Sequence, residues 1–367
     1  MRVVVAMSGG VDSSVAAALL VEAGHEVIGL TMNVWDYGRD ACDTAAGRAC
    51  CSPSDIEDAR QVCRSLGIRF YPMNFRDAFR SRVVGPFIDA YLRGETPNPC
   101  VLCNSVLKFD QLLRQAEAIE ADAMATGHYA QLLRGEDEKI HLLRAVDRPK
   151  DQSYFLFGIT PRVAARLLFP LGGLTKPEVR GLAERFGLRV AAKRESQDAC
   201  FAADGSYAEL IAADPRAAET GEGDIVDLDG RVVGRHDGFW RFTIGQRRGL
   251  AVAAGERIYV VRLEPEHNRV VIGPETALFR SELTLRDLSL VAEESLSDGM
   301  TLHCQIRSRH HAAPATLHGL DGGPLAPGAS ARVVFERPQS AITPGQAAVL
   351  YRGDEVLGGG WITEAGR

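Results

Sequence analysis

The chain has 367 residues, a formal net charge of −6, and hydrophobic and charged fractions of 46% and 25%. The length exceeds one ordinary core and predicts two or three domains. No apolar run approaches membrane-spanning length, which excludes a helical membrane protein, and the acidic balance argues mildly against a nucleic-acid partner unless basic residues cluster locally.

The N-terminal "RVVVAM" (2–7) predicts a short buried strand that runs directly from the first residue, with no signal-peptide pattern, so a cytoplasmic protein is expected. The eight cysteines, at 42, 50, 51, 63, 100, 103, 200 and 304, are then read as catalytic, metal-binding or buried rather than as a disulfide framework. A helix is expected from Ser13 to Ala23, stopped by Gly24, then a strand over 26–32. "SDIEDARQVCRSLG" (54–67) predicts a helix capped by Ser54, with Glu57 completing a capping box. A strand at 69–75, a helix from Phe109 to Glu120 and a strand at 121–127 follow. Strands alternating with helices predict βαβ units and a parallel sheet, with ligands beyond the carboxyl ends of its strands. Ser8–Gly10, Met32 and Gly127–His128 all fall at such ends.

After about residue 205 short β-rich runs between glycine turns take over. The β pattern restarts near 280 at "ELTLRDLSLV". The expected organisation is an α/β domain over 1–205, a small β-rich domain over 206–279 and a β-barrel-like domain over 280–367. "LHGLDGGPLAPGAS" (317–330) is expected to be a flexible loop. Cys63 falls on a helical pattern and is expected in the core; Cys304 falls in a strand.

"SGGVDSS" (8–14) lies between the first strand and first helix. It is neither a Walker A loop nor a dinucleotide fingerprint. Gly9 and Gly10 let the backbone approach an anion. Ser8, Ser13 and Ser14 add hydroxyls, and the helix start supplies N–H groups and a positive dipole end. Asp12 would repel phosphate, so it is expected to hold a magnesium ion or a loop donor. This unit resembles the signature of the ATP pyrophosphatases. In that superfamily the loop grips the β,γ-pyrophosphate of ATP while a substrate oxygen is adenylated at the α-phosphorus. The resemblance implies ATP contacts from Ala6, Met7, Ser8, Gly9, Gly10, Val11, Asp12 and Ser13, and from Met32 and Gly127, with Mg2+ accompanying the nucleotide.

Within that superfamily the cysteines discriminate, because amide-forming members need no cysteine pair and sulfur transfer does. "GETPNPCVLCN" (94–104) carries Cys100 and Cys103, and "ESQDACF" (195–201) carries Cys200. With "LKFD" (107–110), "ATGHYA" (125–130), "KDQSYFL" (150–156), "FTIGQRRGL" (242–250) and "ITPGQAAVLY" (342–351), these segments resemble the tRNA-specific 2-thiouridylases in order and over nearly the whole chain. The resemblance implies ATP-dependent thiolation of C2 of the wobble uridine of tRNA. Cys200 would carry the persulfide, and Cys103 would be the second, nucleophilic cysteine. Both need thiolate character. Asn98, Pro99 and Cys100 would flank the target base. His128, Lys150, Asp151, Gln152, Arg307, Ser308 and Gln346 would face tRNA. A structural histidine at 128 and a backbone-positioning role for Asp151 and Gln152 stay open. Ser308 stands where the family has an aromatic, so phosphate contact replaces stacking there. Arg247–Gly249 is read equally as an RNA-facing turn or a solvated loop.

Cys100 stands where many members have aspartate. Three thiolates at 100, 103 and 200 would suit a [4Fe–4S] cluster with one open iron, and this route stays open beside the persulfide route. Cys42, Cys50 and Cys51 lie in a loop expected to order around tRNA or ATP, with zinc as a weaker alternative. The expected partners are glutamine, lysine and glutamate tRNAs and a sulfur-relay protein or cysteine desulfurase, with no membrane and a monomer as the simplest state. Two further readings are a small-molecule ligase with the same loop, which needs neither cysteine, and a tRNA binder with an ATP-sensing loop, which the intact loop and the cysteine pair argue against.

Overall fold

A computed structural model describes residues 1–35, 52–193, 207–250, 252, 257–320 and 324–366. The first strand, β1 (Arg2–Ala6), is an uninterrupted apolar run whose Val3, Val4 and Val5 are fully buried. Such a strand needs cover on both faces. It pairs in parallel with β2 (Glu26–Asn33) and, on its other side, with β4 (Ala123–Thr126). β3 (Arg69–Asn74) and β7 (Leu167–Leu168) flank these, giving the order β3-β2-β1-β4-β7. The chain therefore leaves β1 in one direction and returns on the other side, which makes the β1/β4 junction the switch point where such sheets bind ligands.

The two faces divide the core by the alternation of β1. Val3 and Val5 pack with α1 (Val11–Glu22), α2 (Pro53–Ser65) and α8 (Lys176–Arg185), while Val4 faces the larger cluster. Cys63 of α2 is fully buried in the first of these, as expected. A Cβ on Gly29 of β2 would lie 2.6 Å from its sulfur, so the thiol fills the space that this glycine leaves. Burial pushes its pKa up to about 12, which leaves it an inert core group.

The capping box of α2 sits two residues earlier than the sequence reading placed it. Ser52 is the N-cap and Asp55 the third helical residue: Asp55 N donates to Ser52 Oγ at 3.1 Å, and Ser52 N donates to Asp55 Oδ2 at 3.0 Å. Pro53 decides the register, because proline is pre-set for the first helical position.

On the other side of the sheet, α3 (Arg76–Phe79) runs through a π-helical turn (Arg80–Val84) into α4 (Gly85–Leu92). A second helical run starts at α5 (Pro99–Leu102), widens into π-helical bonding over Cys103–Leu112 and ends as α6 (Leu113–Ala118). The helix expected from Phe109 is thus the second half of a run that begins ten residues earlier, at Pro99.

The β-rich remainder forms two sheets. β8 (Gly223–Val226), β9 (Val232–His236), β10 (Tyr259–Glu264) and β11 (Arg269–Gly273) follow the short helices α9 (Tyr207–Ala212) and α10 (Pro215–Thr220) and form a four-stranded sheet. The last sheet contains β12 (Phe279–Leu290), β13 (Met300–Gln305), β14 (Ala313–Gly319), β15 (Ala331–Ser340), β16 (Ala347–Arg352) and β17 (Glu355–Gly366). β12 pairs with both β15 and β17, which closes the sheet on itself. Cys304 is fully buried inside it. One hairpin from the first half of the chain, β5 (Ala130–Arg134) and β6 (Ile140–Arg144), joins this sheet through β17, Leu142 opposite Val356 and Leu143 opposite Glu355. The expected loop over 317–330 is partly regular: its first residues end β14, and the buried Leu325 bridges Leu296. The short α7 (Pro161–Ala164) precedes β7.

Candidate active site

The loop Met7–Gly10 emerges from β1 at the switch point. Met7 is fixed to β2, its N–H donating to Leu30 O at 2.8 Å and its carbonyl accepting from Thr31 Oγ1 at 2.7 Å. Gly9 has φ +73°, and a Cβ there would lie 2.1 Å from Asp55 O, so only glycine suits both the conformation and the space. Ser13 Oγ accepts from Ser8 N at 3.1 Å and lies 3.2 Å from Ser8 Oγ, while Ser14 Oγ donates to Gly10 O at 2.8 Å. The three serines therefore brace the loop. Gly10, the N-cap of α1, offers no side chain to the first-turn N–H groups, which is the arrangement that receives an anion.

The loop contains no lysine, but two lysines from far along the chain reach it. Lys176, buried at the start of α8, donates to Asp12 Oδ1 at 2.7 Å and Oδ2 at 2.9 Å. The Tyr129 hydroxyl donates to the same Oδ1 at 2.9 Å. Asp12 thus anchors a lysine and a tyrosine. Lys193 donates to Gly9 O at 3.0 Å and Asp55 Oδ1 at 2.6 Å, and also bonds Asp58. Burial alone would lower its pKa, but the bonds and charges of Asp55 and Asp58 outweigh this and hold it above the ordinary value. Sequence reasoning missed both lysines because nothing local marks them.

Gly127 and His128 directly follow β4 beside the same loop. A Cβ on Gly127 would lie 2.6 Å from Ser13 N, so α1 and this corner touch through backbone. Met32, at the end of β2, is buried. His128 Nδ1 lies 2.7 Å from Thr126 Oγ1, and its ring contacts Phe109 and Phe169 at centroid distances of 6.0 and 5.9 Å. Burial, and secondarily the charge of Lys108, hold its pKa well below the usual value, so it is neutral at pH 7.

The helical run that contributes Phe109 also carries the cysteines. Asn98 caps it, accepting from Val101 N at 3.4 Å; Pro99 is buried, and Cys100 and Cys103 are half-buried on its first turns. Asn104, beside Cys103, donates to Phe155 O at 3.1 Å. The structure therefore brings the phosphate loop, the Gly127–His128 corner and the Cys103 helix together. Cys200, Cys42, Cys50 and Cys51 lie outside the described residues, so of the three expected cluster ligands only Cys100 and Cys103 are described. Among the described residues no group of three or more His, Cys, Asp or Glu side chains has metal-binding geometry.

Two of the turns expected to contact tRNA, Lys150–Gln152 and Arg307–Ser308, meet in a second region. Asp151 accepts from Arg144 Nη1 at 2.9 Å, Ala145 N at 2.9 Å and Ser153 Oγ at 2.8 Å. Gln152 Oε1 accepts from Tyr129 N at 2.9 Å. Both side chains are committed to holding the turn whose exit bears Lys150. Arg144 also donates to Gln305 Oε1 at 3.0 Å, and Gln305 Nε2 donates to Ser308 O at 3.0 Å and Arg307 O at 3.2 Å. The guanidinium of Arg144 therefore ties the Lys150–Gln152 turn to the Arg307–Ser308 turn. Arg307 itself donates to Ser340 O at 3.0 Å, while Ser308 and Arg309 are exposed. Gln346 stands elsewhere: its Nε2 donates to Thr96 O at 2.8 Å, clasping the segment that leads to Cys100. Arg247–Gly249 is an exposed turn.

Three family models match in succession: a tRNA methyl transferase HUP domain over residues 1–204, a tRNA methyl transferase PRC-barrel domain over 215–274 and an aminomethyltransferase beta-barrel domain over 280–362. Full-length relatives are more specific. The chain is 51% identical to the tRNA-specific 2-thiouridylase MnmA of Geobacter metallireducens, over 99% of this chain and 97% of that one. It is 48% identical to the protein of the same name from Pelotomaculum thermopropionicum, over 100% and 98% of the two chains. The chain belongs to the tRNA-specific 2-thiouridylase family. The fold class read from the sequence, a parallel α/β domain followed by two β-rich units, is the family's. A U34-tRNA thiolase NcsA from Methanococcus maripaludis, with its [4Fe-4S] cluster, aligns at TM-score 0.35 and 21% identity, covering 58% of this chain and 64% of that one.

Proposed function

We propose that this protein is an ATP-dependent tRNA 2-thiouridylase. The observation that carries the reading is the Gly127–His128 corner, which abuts the phosphate loop on one side and the Cys103 helix on the other. A nucleotide held by Ala6–Ser13, Met32 and Gly127 presents its α-phosphorus near a base that Asn98, Pro99 and Cys100 flank. The uridine C2 oxygen attacks that phosphorus and pyrophosphate leaves toward the α1 N-terminus. The adenylated oxygen is then a good leaving group. The terminal sulfur of a Cys200 persulfide, loaded by a sulfur-donor protein, attacks C2 and AMP departs. The Cys103 thiolate attacks the Cys200 sulfur, releases the 2-thiolated base and leaves a Cys103–Cys200 disulfide, which an external thiol reduces before the next turnover.

The α/β region (1–205) carries this chemistry, and its Lys150–Gln152 turn, with the β-rich regions (206–279 and 280–367), holds the tRNA. Lys150, Arg307 and Ser308 contact phosphate, and Asp151, Gln152 and Gln346 position the turns around it. The experiment is a thiolation assay on Cys103→Ser and Cys200→Ser proteins with tRNA binding measured alongside. Both should bind tRNA as the unaltered protein does and form no 2-thiouridine. Thiolation by the Cys200→Ser protein would overturn the reading.

A further inference from the structure

Lys108 differs from the two lysines at the phosphate loop. Lys176 and Lys193 each meet a carboxylate within 2.7 Å. Lys108 is half-buried, and its hydrogen-bond partner is the neutral amide of Asn104, 2.9 Å from its Nζ; among the described residues it forms no ion pair. A half-buried lysine bonded to a neutral amide has, among the described residues, no carboxylate to compensate its charge. Its direction is also fixed, because Asn104 is itself anchored on Phe155 O at 3.1 Å. The π-helical bonding of Cys103–Leu112 closes turns from residue i to i+5, so Lys108 stands one such turn beyond Cys103. The next residue, Phe109, packs on His128 at the corner shared with the phosphate loop. The neighbouring histidine is neutral and offers no charge for it to oppose or pair with.

We propose that Lys108 binds a phosphate group of the substrates, held between the Cys103 helix and the His128 corner. This inference rests on the proposed thiolation reaction. Two phosphates have the required chemistry, the α-phosphate of the nucleotide and a backbone phosphate of the tRNA beside the target base.

The test compares Lys108→Met, which keeps the stem and removes the charge, with Lys108→Arg, which keeps the charge. ATP KM and kcat are measured in the thiolation assay, and tRNA affinity is measured over a range of salt concentrations. Thermal melts confirm folding. Loss of a charge-assisted contact corresponds to about 10-fold or more. For the nucleotide phosphate, Lys108→Met raises the KM for ATP by that factor and leaves the salt slope of tRNA binding unchanged. For the tRNA phosphate, it weakens tRNA binding by that factor and lowers the salt slope by roughly 0.7 to 0.9. In either case Lys108→Arg recovers most of the loss. A Lys108→Met protein that equals the unaltered enzyme in KM, tRNA affinity and salt slope would overturn the inference, as would a loss confined to kcat and equal in both variants. Failure of the unaltered enzyme to thiolate tRNA would instead overturn the reaction on which the inference rests.

Discussion

Gly9 and Gly127 show why single residues decide this site. Each is a place where two backbones meet, and each would place a Cβ inside a neighbour's radius, 2.1 Å from Asp55 O and 2.6 Å from Ser13 N. Gly127→Ala should destabilise the fold by about 1–3 kcal/mol through forced backbone shifts and raise the KM for ATP, read from a thermal melt and a nucleotide titration. An unchanged KM would mean that the corner does not border the nucleotide. The glycines were legible because "SGG" and "TGH" follow apolar strands. Lys176 and Lys193 were not, since they reach Asp12 and Gly9 across 164 and 184 residues of chain. Only the closed fold makes them neighbours.

At the scale of elements, apolar runs predicted strands well because a strand covered on both faces has no polar choices. Helix starts were less legible. "SPSDIED" offers two serines with an acidic residue three places on, and the proline between them selects the first. The π-helical bonding from Cys103 has no local signature.

The β5–β6 hairpin carries a pH-sensitive contact to the barrel. His141 Nδ1 lies 2.5 Å from Glu355 Oε1 and Nε2 lies 3.1 Å from Asp137 Oδ1. Glu355 first, then Asp137, raises its pKa above 6.5. A raised histidine contributes stability that is fully present below its unfolded pKa and lost as pH rises through the folded value. The unaltered protein should therefore exceed His141→Gln in melting temperature near pH 6, and the gap should close near pH 9. A gap independent of pH would contradict the ionic contact.

For the whole molecule, the domains are not independent modules. The hairpin at 130–144 belongs to the first half of the chain by sequence and to the last sheet by pairing, and Gln346 reaches back to Thr96 beside the cysteine helix. The sequence showed three textures in order but not this exchange, because pairing between distant strands leaves no period in the chain. Arg144 is the joint, stacked 3.6 Å over Tyr351 and bonded to both Asp151 and Gln305. Arg144→Met leaves the mostly buried Asp151 carboxylate without its cation and should cost about 3 kcal/mol. It should also weaken tRNA binding, as the Lys150 and Arg307 turns lose their common tie. A denaturant melt and a tRNA titration check both.

In the proposed reaction ATP cleavage and sulfur transfer occur on one base at one corner. Its most direct measurement is a single-turnover reaction of iron-free enzyme, loaded with persulfide at Cys200, with ATP and unmodified tRNA. The proposed reaction gives equal amounts of AMP, pyrophosphate and 2-thiouridine in the loaded enzyme, whereas the Cys200→Ser protein releases pyrophosphate and forms no 2-thiouridine. AMP without 2-thiouridine, or 2-thiouridine only after iron is restored, would contradict it.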